Sequence, residues 1–156
     1  MTTGFLLGKF LPPHRGHLYL IEQAVARCQR LTVLVCSIAC EPIPGALRHA
    51  WVKDLCQFAD VYHCTDENPQ YPHESPNFWP IWIASIRRFV PIGPDLVFSS
   101  EDYGDELATR LGASHIAIDK ARLAFPVSGT AVREDPRAVW HLIPPPVQAY
   151  YEALGY

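Results

Sequence analysis

The sequence predicts an α/β fold with an open, mostly parallel sheet of about five strands, helices on both faces and a C-terminal helical segment. Short apolar runs alternate along the chain with stretches of helical periodicity, as they do in consecutive βαβ units. The run LTVLVCSI at 31–38 is rich in β-branched residues and almost uninterrupted. Such a run is typical of a strand that helices cover on both faces.

Five short apolar runs predict the strands, and they lie at 4–7, 31–38, 61–64, 95–99 and 114–118. Between them, apolar residues spaced three or four apart predict helices at 17–30, 47–58, 78–90, 103–111 and 147–154. Gly112 is expected to end the fourth helix, and Pro80 fits the first turn of the third. This order of elements predicts a Rossmann-like sheet.

The remaining segments are loops and short turns. Clustered prolines predict loops at 9–16 and 65–77, and helical turns are expected at 128–133 and 136–142. In open parallel sheets, ligands bind beyond the carboxyl ends of the strands. The loop at 9–16 leaves the first strand and enters the first helix, so we expect it to border the ligand site.

Composition and charge limit the function classes. A chain of 156 residues suits one domain spanning 1–156, and its 49% apolar and 19% charged residues argue against disorder. The net charge of −3 argues against a broadly basic nucleic-acid surface. No apolar run approaches the ~20 residues of a membrane span, and no signal peptide is evident, so we expect the cytosol. Five cysteines without a CxxC pair argue against a disulfide framework or structural zinc.

The first segment with chemical potential is GKFLPPHRGH at 8–17, where two histidines flank a glycine before a predicted helix. A helix N-terminus offers free N–H groups and partial positive charge, which favour phosphate. His14 and His17 add hydrogen-bond donors, with positive charge when protonated, and Gly16 lets a ligand approach the backbone. Lys9 contributes a point charge. The competing interpretation is two solvated histidines at a helix start.

Two other chemistries fit this segment poorly. Zinc would need a third ligand at suitable spacing, and none is evident. A P-loop would need an upstream glycine and a Ser or Thr after the lysine, and both are missing.

The second segment is SGTAVRE at 128–134, in which small hydroxyl residues and a glycine open a predicted helical turn. Ser128 and Thr130 offer hydroxyl groups to an oxyanion, and the guanidinium of Arg133 can close around it. The competing interpretation is an ordinary serine cap with Arg133 in solvent.

Together the two segments resemble the signature pair of the nucleotidylyltransferase superfamily, HxGH after the first strand and SGTxxR near the C-terminus. The resemblance extends over nearly the whole chain. GKFLPPHRGHLYLIEQA, SSEDYG and DKARLAFPVSGTAVRED are most similar to the nicotinamide mononucleotide (NMN) adenylyltransferase domain of NadR-type proteins. In those proteins a kinase domain with a P-loop usually follows. Because this chain has neither a P-loop nor a helix-turn-helix before its first strand, kinase and repressor activities are not expected.

The resemblance implies an enzyme that joins ATP and NMN to give NAD and pyrophosphate. The NMN phosphate attacks the α-phosphorus of ATP directly and in line, and it needs no general base because it is already anionic. Mg²⁺ is the implied cofactor, bridged by the phosphates rather than held by a carboxylate cage. The implied partners are these small molecules, with no nucleic acid and no membrane, and the sequence leaves a homo-oligomer open.

The resemblance also implies roles for single residues. His14 and His17 match the paired histidines that contact ATP phosphates, and we assign His17 to the α-phosphoryl group in the transition state. The implied catalytic residues are His14, His17, Lys9 and Arg133. The implied ATP-binding residues are Gly8, Phe10, His14, Gly16, His17, Ser128, Gly129, Thr130 and Arg133. The implied NMN-binding residues are Lys9, Trp79, Trp82, Tyr103, Asp119 and Arg122.

The aromatic candidates for the acceptor side have two interpretations. A flat cationic ring prefers an aromatic face, which favours Trp79 or Trp82, with Tyr103 behind them. Their positions at helical spacing equally suit core residues.

The polar candidates for the acceptor side also stay open. Asp119 either holds a ribose hydroxyl or pairs with Arg122. Arg48 and Arg122 are the arginines expected to reach a substrate phosphate. The segment at 99–102 either caps a helix through Ser100 or Asp102 or forms a wall of the adenine or ribose pocket.

Two alternatives to the main interpretation remain. One is an adenylyltransferase for another acceptor, such as phosphopantetheine or flavin mononucleotide. The other is a nucleotide sensor without catalysis, although the intact histidines argue against it. The other five histidines fit no constellation and are expected to be structural or solvated: His49, His63, His73, His115 and His141.

Overall fold

The computed structural model describes all 156 residues and contains five strands and six α-helices. The strands are β1 (Thr3–Gly8), β2 (Arg30–Cys36), β3 (Asp60–Cys64), β4 (Leu96–Ser99) and β5 (Ser114–Ala117). The helices are α1 (Arg15–Val25), α2 (Gly45–Leu55), α3 (Phe78–Phe89), α4 (Gly104–Leu111), α5 (Gly129–Glu134) and α6 (Pro145–Ala153). Short 3-10 turns lie at Pro72–Glu74 and Arg137–Leu142.

All strands are parallel, in the order β3-β2-β1-β4-β5, which confirms the predicted fold class. The chain moves outward from β1 to β3 and then crosses to the other side of β1. Only Gly4 and Phe5 of β1 pair with β4, so the two strands diverge toward their carboxyl ends. That divergence opens a crevice at the point where the strand order reverses, where ligands bind in open α/β sheets.

Alternate residues of the central strands face opposite layers. Leu6 and Val33 are fully buried in one cluster with residues of α1 and α2. Phe5 and Leu34 are fully buried in another with residues of α3 and α4. The double burial explains the uninterrupted apolar run at 31–38, because both faces of β2 are covered.

A third apolar cluster attaches the C-terminal helices to the loop between β1 and α1. Leu11 of that loop packs with Val132 of α5 and with Val147 and Tyr151 of α6. The C-terminal segment is therefore held beside the carboxyl ends of β1 and β2.

The structure corrects several predicted boundaries. α1 begins at Arg15 because His14 caps it, and it ends at Val25 rather than near residue 30. Phe58 lies beyond α2 and is 59% exposed, so its match to the apolar spacing was accidental. Gly112 ends α4 in a left-handed conformation, as predicted.

No helix in the structure has both the length and the apolar character needed to cross a membrane.

Arg48 is the largest fully buried side chain, and it fixes the loop that follows β1. Its guanidinium donates to the carbonyl oxygens of Lys9 at 2.7 Å and Ile43 at 3.0 Å, and to Glu41 Oε1 at 2.7 Å. The bond to Lys9 holds the peptide that precedes Phe10, whose φ of 49° is left-handed. Arg48 is thus occupied under the loop, and the expectation that it reaches a substrate phosphate is wrong.

Glu41 completes this network with a buried carboxylate. Its Oε2 lies 2.9 Å from Lys9 Nζ, and its Oε1 accepts the Ile38 N–H at 2.9 Å. Burial alone would raise the pKa of Glu41, but the hydrogen bonds from Lys9, Ile38 and Arg48 outweigh it and lower the pKa. The ionised carboxylate therefore joins the end of β1 to the segment after β2.

We expect Arg48→Met to lower the free energy of unfolding by about 3 kcal/mol, because it removes one partner of a buried ion pair. Urea unfolding measures the change. Lys53→Met on the exposed side of the same helix is the control, expected within about 0.5 kcal/mol of the wild type. Equal stability of the two variants would contradict the role given to Arg48.

Candidate functional site

A cleft of about 910 Å³ lies at the carboxyl ends of β1 and β4. It is large enough for nucleotide-sized ligands. Apart from Arg48, every residue to which the sequence gave a site role lines this cleft: Gly8, Lys9, Phe10, His14, Gly16, His17, Trp79, Trp82, Tyr103, Asp119, Arg122, Ser128, Gly129, Thr130 and Arg133. The structure thus brings the two segments together, while the role of each residue stays a prediction.

His14 and His17 form a reciprocal cap at the start of α1. Nδ1 of His14 accepts the N–H groups of Gly16 at 3.1 Å and His17 at 3.3 Å. Nδ1 of His17 accepts the N–H of His14 at 3.1 Å. A Cβ at position 16 would come within 3.0 Å of the His14 ring, so glycine is needed there.

This cap determines the tautomer of both imidazoles. Because each Nδ1 accepts a hydrogen bond, the proton of each neutral ring must lie on Nε2. The rings stack with centroids 3.7 Å apart, and both line the cleft. Capping and a cleft function are therefore compatible, since they use different nitrogens.

Both imidazoles are neutral at pH 7. Burial, with a smaller effect from Arg122, lowers the pKa of His14 to about 4. Burial, His14 and Arg122 hold the pKa of His17 well below its usual value of 6.5. The histidines therefore offer N–H donors rather than the positive charge that protonation would add.

The second segment is tied to the first through the carbonyl of Leu11. The Arg133 guanidinium donates to that oxygen, and Arg133 also lies 3.5 Å from the Thr130 hydroxyl. A Cβ at Gly129 would lie 2.6 Å from the same oxygen, so only glycine allows the approach. Ser128 caps α5 by accepting the Ala131 N–H at 3.1 Å. The serine cap is present, but Arg133 is not free in solvent.

The two tryptophan candidates lie on α3, and their positions fit both interpretations, core packing and a role at the cleft. Trp79 and Trp82 are half-buried, pack against the core and line the cleft. Trp82 Nε1 donates to the Pro69 carbonyl at 2.8 Å, which fixes the ring. Tyr103 donates to the Leu7 carbonyl at 3.1 Å, in the gap between β1 and β4.

The polar candidates are held by other partners. The Asp119 carboxylate accepts the N–H groups of Leu123 at 2.8 Å and Ala124 at 3.1 Å, so it stabilises a turn. Arg122 donates to Glu101 at 3.0 Å and to the Val127 carbonyl at 2.8 Å. The predicted pairing of Asp119 with Arg122 is therefore not formed.

The segment after β4 lines the cleft and does not cap α4. Ser100, Glu101 and Asp102 are cleft residues, whereas the cap of α4 is Tyr103, which makes no side-chain capping bond. Asp102 pairs with Lys120 at 2.6 Å. Ion pairs thus join this wall of the cleft to the 119–125 turn.

Two of the other histidines have structural roles, as the sequence analysis expected. His115 bridges Ser99 at 2.9 Å and Asp105 at 2.8 Å. Ser99 is 2% exposed and lies outside the cleft, so this chain of hydrogen bonds holds β4, β5 and α4 together. His63 bonds the Ser37 hydroxyl at 2.7 Å in a similar way.

Sequence reasoning missed two acidic residues at the cleft. Asp66 lines it, and Glu41 pairs with Lys9. Neither stands in a motif, because each pairs with a cation distant in sequence. No group of three His, Cys, Asp or Glu side chains is arranged to hold a metal ion.

Comparisons with known proteins bear on the fold and ancestry. No family model matches the chain. It is 27% identical, over 96% of its length, to the trifunctional NAD biosynthesis/regulator protein NadR of Escherichia coli, and 25% identical to that of Salmonella typhimurium. The chain spans 40% of the length of these curated relatives.

Solved structures show the same fold. A crystal structure of NadR in complex with NAD and AMP-PNP matches 91% of this chain and 44% of its own, with a TM-score of 0.70 and 19% identity. A bifunctional NMN adenylyltransferase/ADP ribose pyrophosphatase of Francisella tularensis, complexed with AMP and a manganese ion, matches 76% of this chain and 37% of its own, with a TM-score of 0.56 and 15% identity. The sequence relatives confirm the predicted resemblance to NadR-type proteins, and the solved structures show the shared fold.

Proposed function

We propose that the cleft is an adenylyltransferase site that joins ATP and NMN to give NAD and pyrophosphate. One observation carries the proposal: two segments that are distant in sequence, and each suited to phosphate, face one cavity. A hydrogen bond from the Arg133 guanidinium to the Leu11 carbonyl oxygen joins them. A single triphosphate can then contact both. The NAD biosynthesis named for the NadR relatives supports the choice of reaction.

In this proposal the NMN phosphate attacks the α-phosphorus of ATP and pyrophosphate leaves on the opposite side. The attacking oxygen is already anionic, so alignment and charge stabilisation supply the catalysis. The Nε2–H groups of His14 and His17 donate to α-phosphoryl oxygens as negative charge grows. Neutral donors serve here because they are fixed by the cap before substrate arrives.

The β- and γ-phosphates are assigned to Ser128, Thr130 and Arg133. One N–H group of the Arg133 guanidinium already donates to the Leu11 carbonyl oxygen, and this hydrogen bond orients the remaining N–H groups. Lys9 supplies positive charge at the end of β1, where Glu41 holds its ammonium at 2.9 Å. The opposite wall, with Trp79 and Trp82, is assigned to the nicotinamide ring.

A divalent cation, Mg²⁺ in our proposal, would enter with ATP and neutralise phosphate charge. Three carboxylates that line the cleft already have partners: Glu101 with Arg122, Asp102 with Lys120, and Asp119 with two backbone N–H groups. The donors that remain for a cation are mainly phosphate oxygens and water, with Asp66 as the fourth carboxylate at the cleft.

A panel of acceptors tests the proposal. Each of NMN, nicotinate mononucleotide, phosphopantetheine and flavin mononucleotide is incubated with ATP and Mg²⁺, and pyrophosphate and the dinucleotide product are quantified. We expect NAD from NMN. Turnover only with phosphopantetheine or only with flavin mononucleotide would show that the enzyme uses a different acceptor. Nucleotide binding without any turnover would indicate a sensor.

His17→Asn separates the cap from the proposed donor. An asparagine Oδ1 can still accept the His14 N–H, while the Nε2–H that reaches the phosphate is lost. We expect kcat to fall about 100-fold, the scale of losing one preorganised donor. Steady-state kinetics measure it, with exposed His141→Ala as the control. Unchanged kcat in His17→Asn would show that the donor has been misassigned.

Arg133→Met tests the assignment of the phosphate segments. We expect the Kd of ATP to rise about tenfold or more, because a charge-assisted hydrogen bond is lost, and the Kd of NMN to change less. Isothermal titration calorimetry gives both constants, and Arg27→Met in the exposed turn after α1 is the control. A larger effect on NMN than on ATP would reverse the assignment.

A further inference from the structure

The segment after β3 follows the cleft-facing side of α3. Trp82 Nε1 donates a hydrogen bond to the Pro69 carbonyl oxygen at 2.8 Å. One helical turn later, the Ser85 hydroxyl donates to Asp66 Oδ2 at 2.6 Å. Asn68 also donates to the Ser85 hydroxyl at 2.9 Å. Asp66 and Trp82 line the same cleft. These bonds place a carboxylate about one helical turn from the ring to which we assign nicotinamide stacking.

Asp66 is held by several side chains. The hydrogen bonds from Ser85 and, at 2.5 Å, from Arg88 end on Oδ2, and the Cys64 side chain also bonds the carboxylate. Neither Ser85 nor Arg88 uses Oδ1, which keeps acceptor capacity for a ligand. The Ser85 bond, opposed by burial and aided by Arg88, lowers the pKa of Asp66, so the group is ionised at neutral pH.

The surrounding cations do not turn this part of the cleft into an anion site. Arg88 is 57% exposed on its side chain and does not line the cleft. The cleft-lining cations have other partners: Lys9 pairs with Glu41, Arg122 with Glu101, and Arg133 donates to Leu11. Among the charged residues that line the cleft, Asp66 is the one hydrogen-bonded to the helix that carries Trp82.

We propose that Asp66 selects the ring substituent of the acceptor, accepting a hydrogen bond from the carboxamide of NMN and repelling the carboxylate of nicotinate mononucleotide. The inference rests on the proposed function and deepens it. A carboxamide has two N–H donors, whereas a carboxylate has none and carries a charge of the same sign as Asp66. Discrimination between the two acceptors then combines a hydrogen bond to the NMN carboxamide with charge repulsion of the nicotinate carboxylate.

Equilibrium binding tests this selectivity without requiring turnover. Calorimetry gives the Kd of NMN and of nicotinate mononucleotide for the wild type, Asp66→Asn and Asp60→Asn. We expect the wild type to bind NMN at least about tenfold more tightly, and Asp66→Asn to reduce that ratio about tenfold. Asparagine keeps an acceptor for Ser85 and Arg88 and gains a donor for a carboxylate. Asp60→Asn removes the same charge from an Asp–Arg pair outside the cleft and should keep the wild-type ratio.

Equal wild-type affinities for the two acceptors would overturn the inference, and so would an unchanged ratio in a folded Asp66→Asn. If circular dichroism shows that variant to be unfolded, Asp66→Ser replaces it under the same criterion. Preferential NMN binding without NAD formation would refute the proposed reaction and leave the selectivity standing. Turnover of both NMN and nicotinate mononucleotide with equal Kd values would refute only the selectivity. If neither acceptor binds, the proposed reaction and the proposed selectivity are both refuted.

Discussion

The carbonyl oxygen of Leu11 is the point on which the cleft depends. It receives the guanidinium of Arg133, 122 residues away in sequence, and it lies so close to Gly129 that no side chain fits between them. Leu11 itself packs with Val127 and Val132 in the cluster that anchors the C-terminal helices. Apolar packing brings the two segments near each other, and the hydrogen bond sets their separation. The groups that we assign to phosphate, from both ends of the chain, consequently face one cavity.

A second constraint is that His14 and His17 serve the fold and the proposed chemistry with different atoms. Their Nδ1 atoms cap α1, and their Nε2 atoms remain for the cleft. Burial keeps both rings neutral, so the positive charge in the cleft comes from Lys9, Arg122 and Arg133. This division separates directional donors, which are fixed in place, from cations, which are paired with carboxylates or with backbone oxygens.

Much of the architecture could be predicted because hydrophobic periodicity reports local structure. The five strands and the main helices follow from it, and the two motif segments line one cleft, whose ligand stays a prediction. The start of α1 was missed because a histidine cap has no standard sequence signal. Arg48 was misjudged because a buried arginine looks like a surface one until its carbonyl partners are known. Asp66 could not be found at all, since its partners Ser85 and Arg88 lie about 20 residues away on another element.

The most direct test of the account is a crystal structure of the chain with a non-hydrolysable ATP analogue. The account predicts one triphosphate within hydrogen-bond distance of both the His17 Nε2 atom and the Arg133 guanidinium. A triphosphate that contacts only one of the two, or that lies outside the cleft, would contradict it.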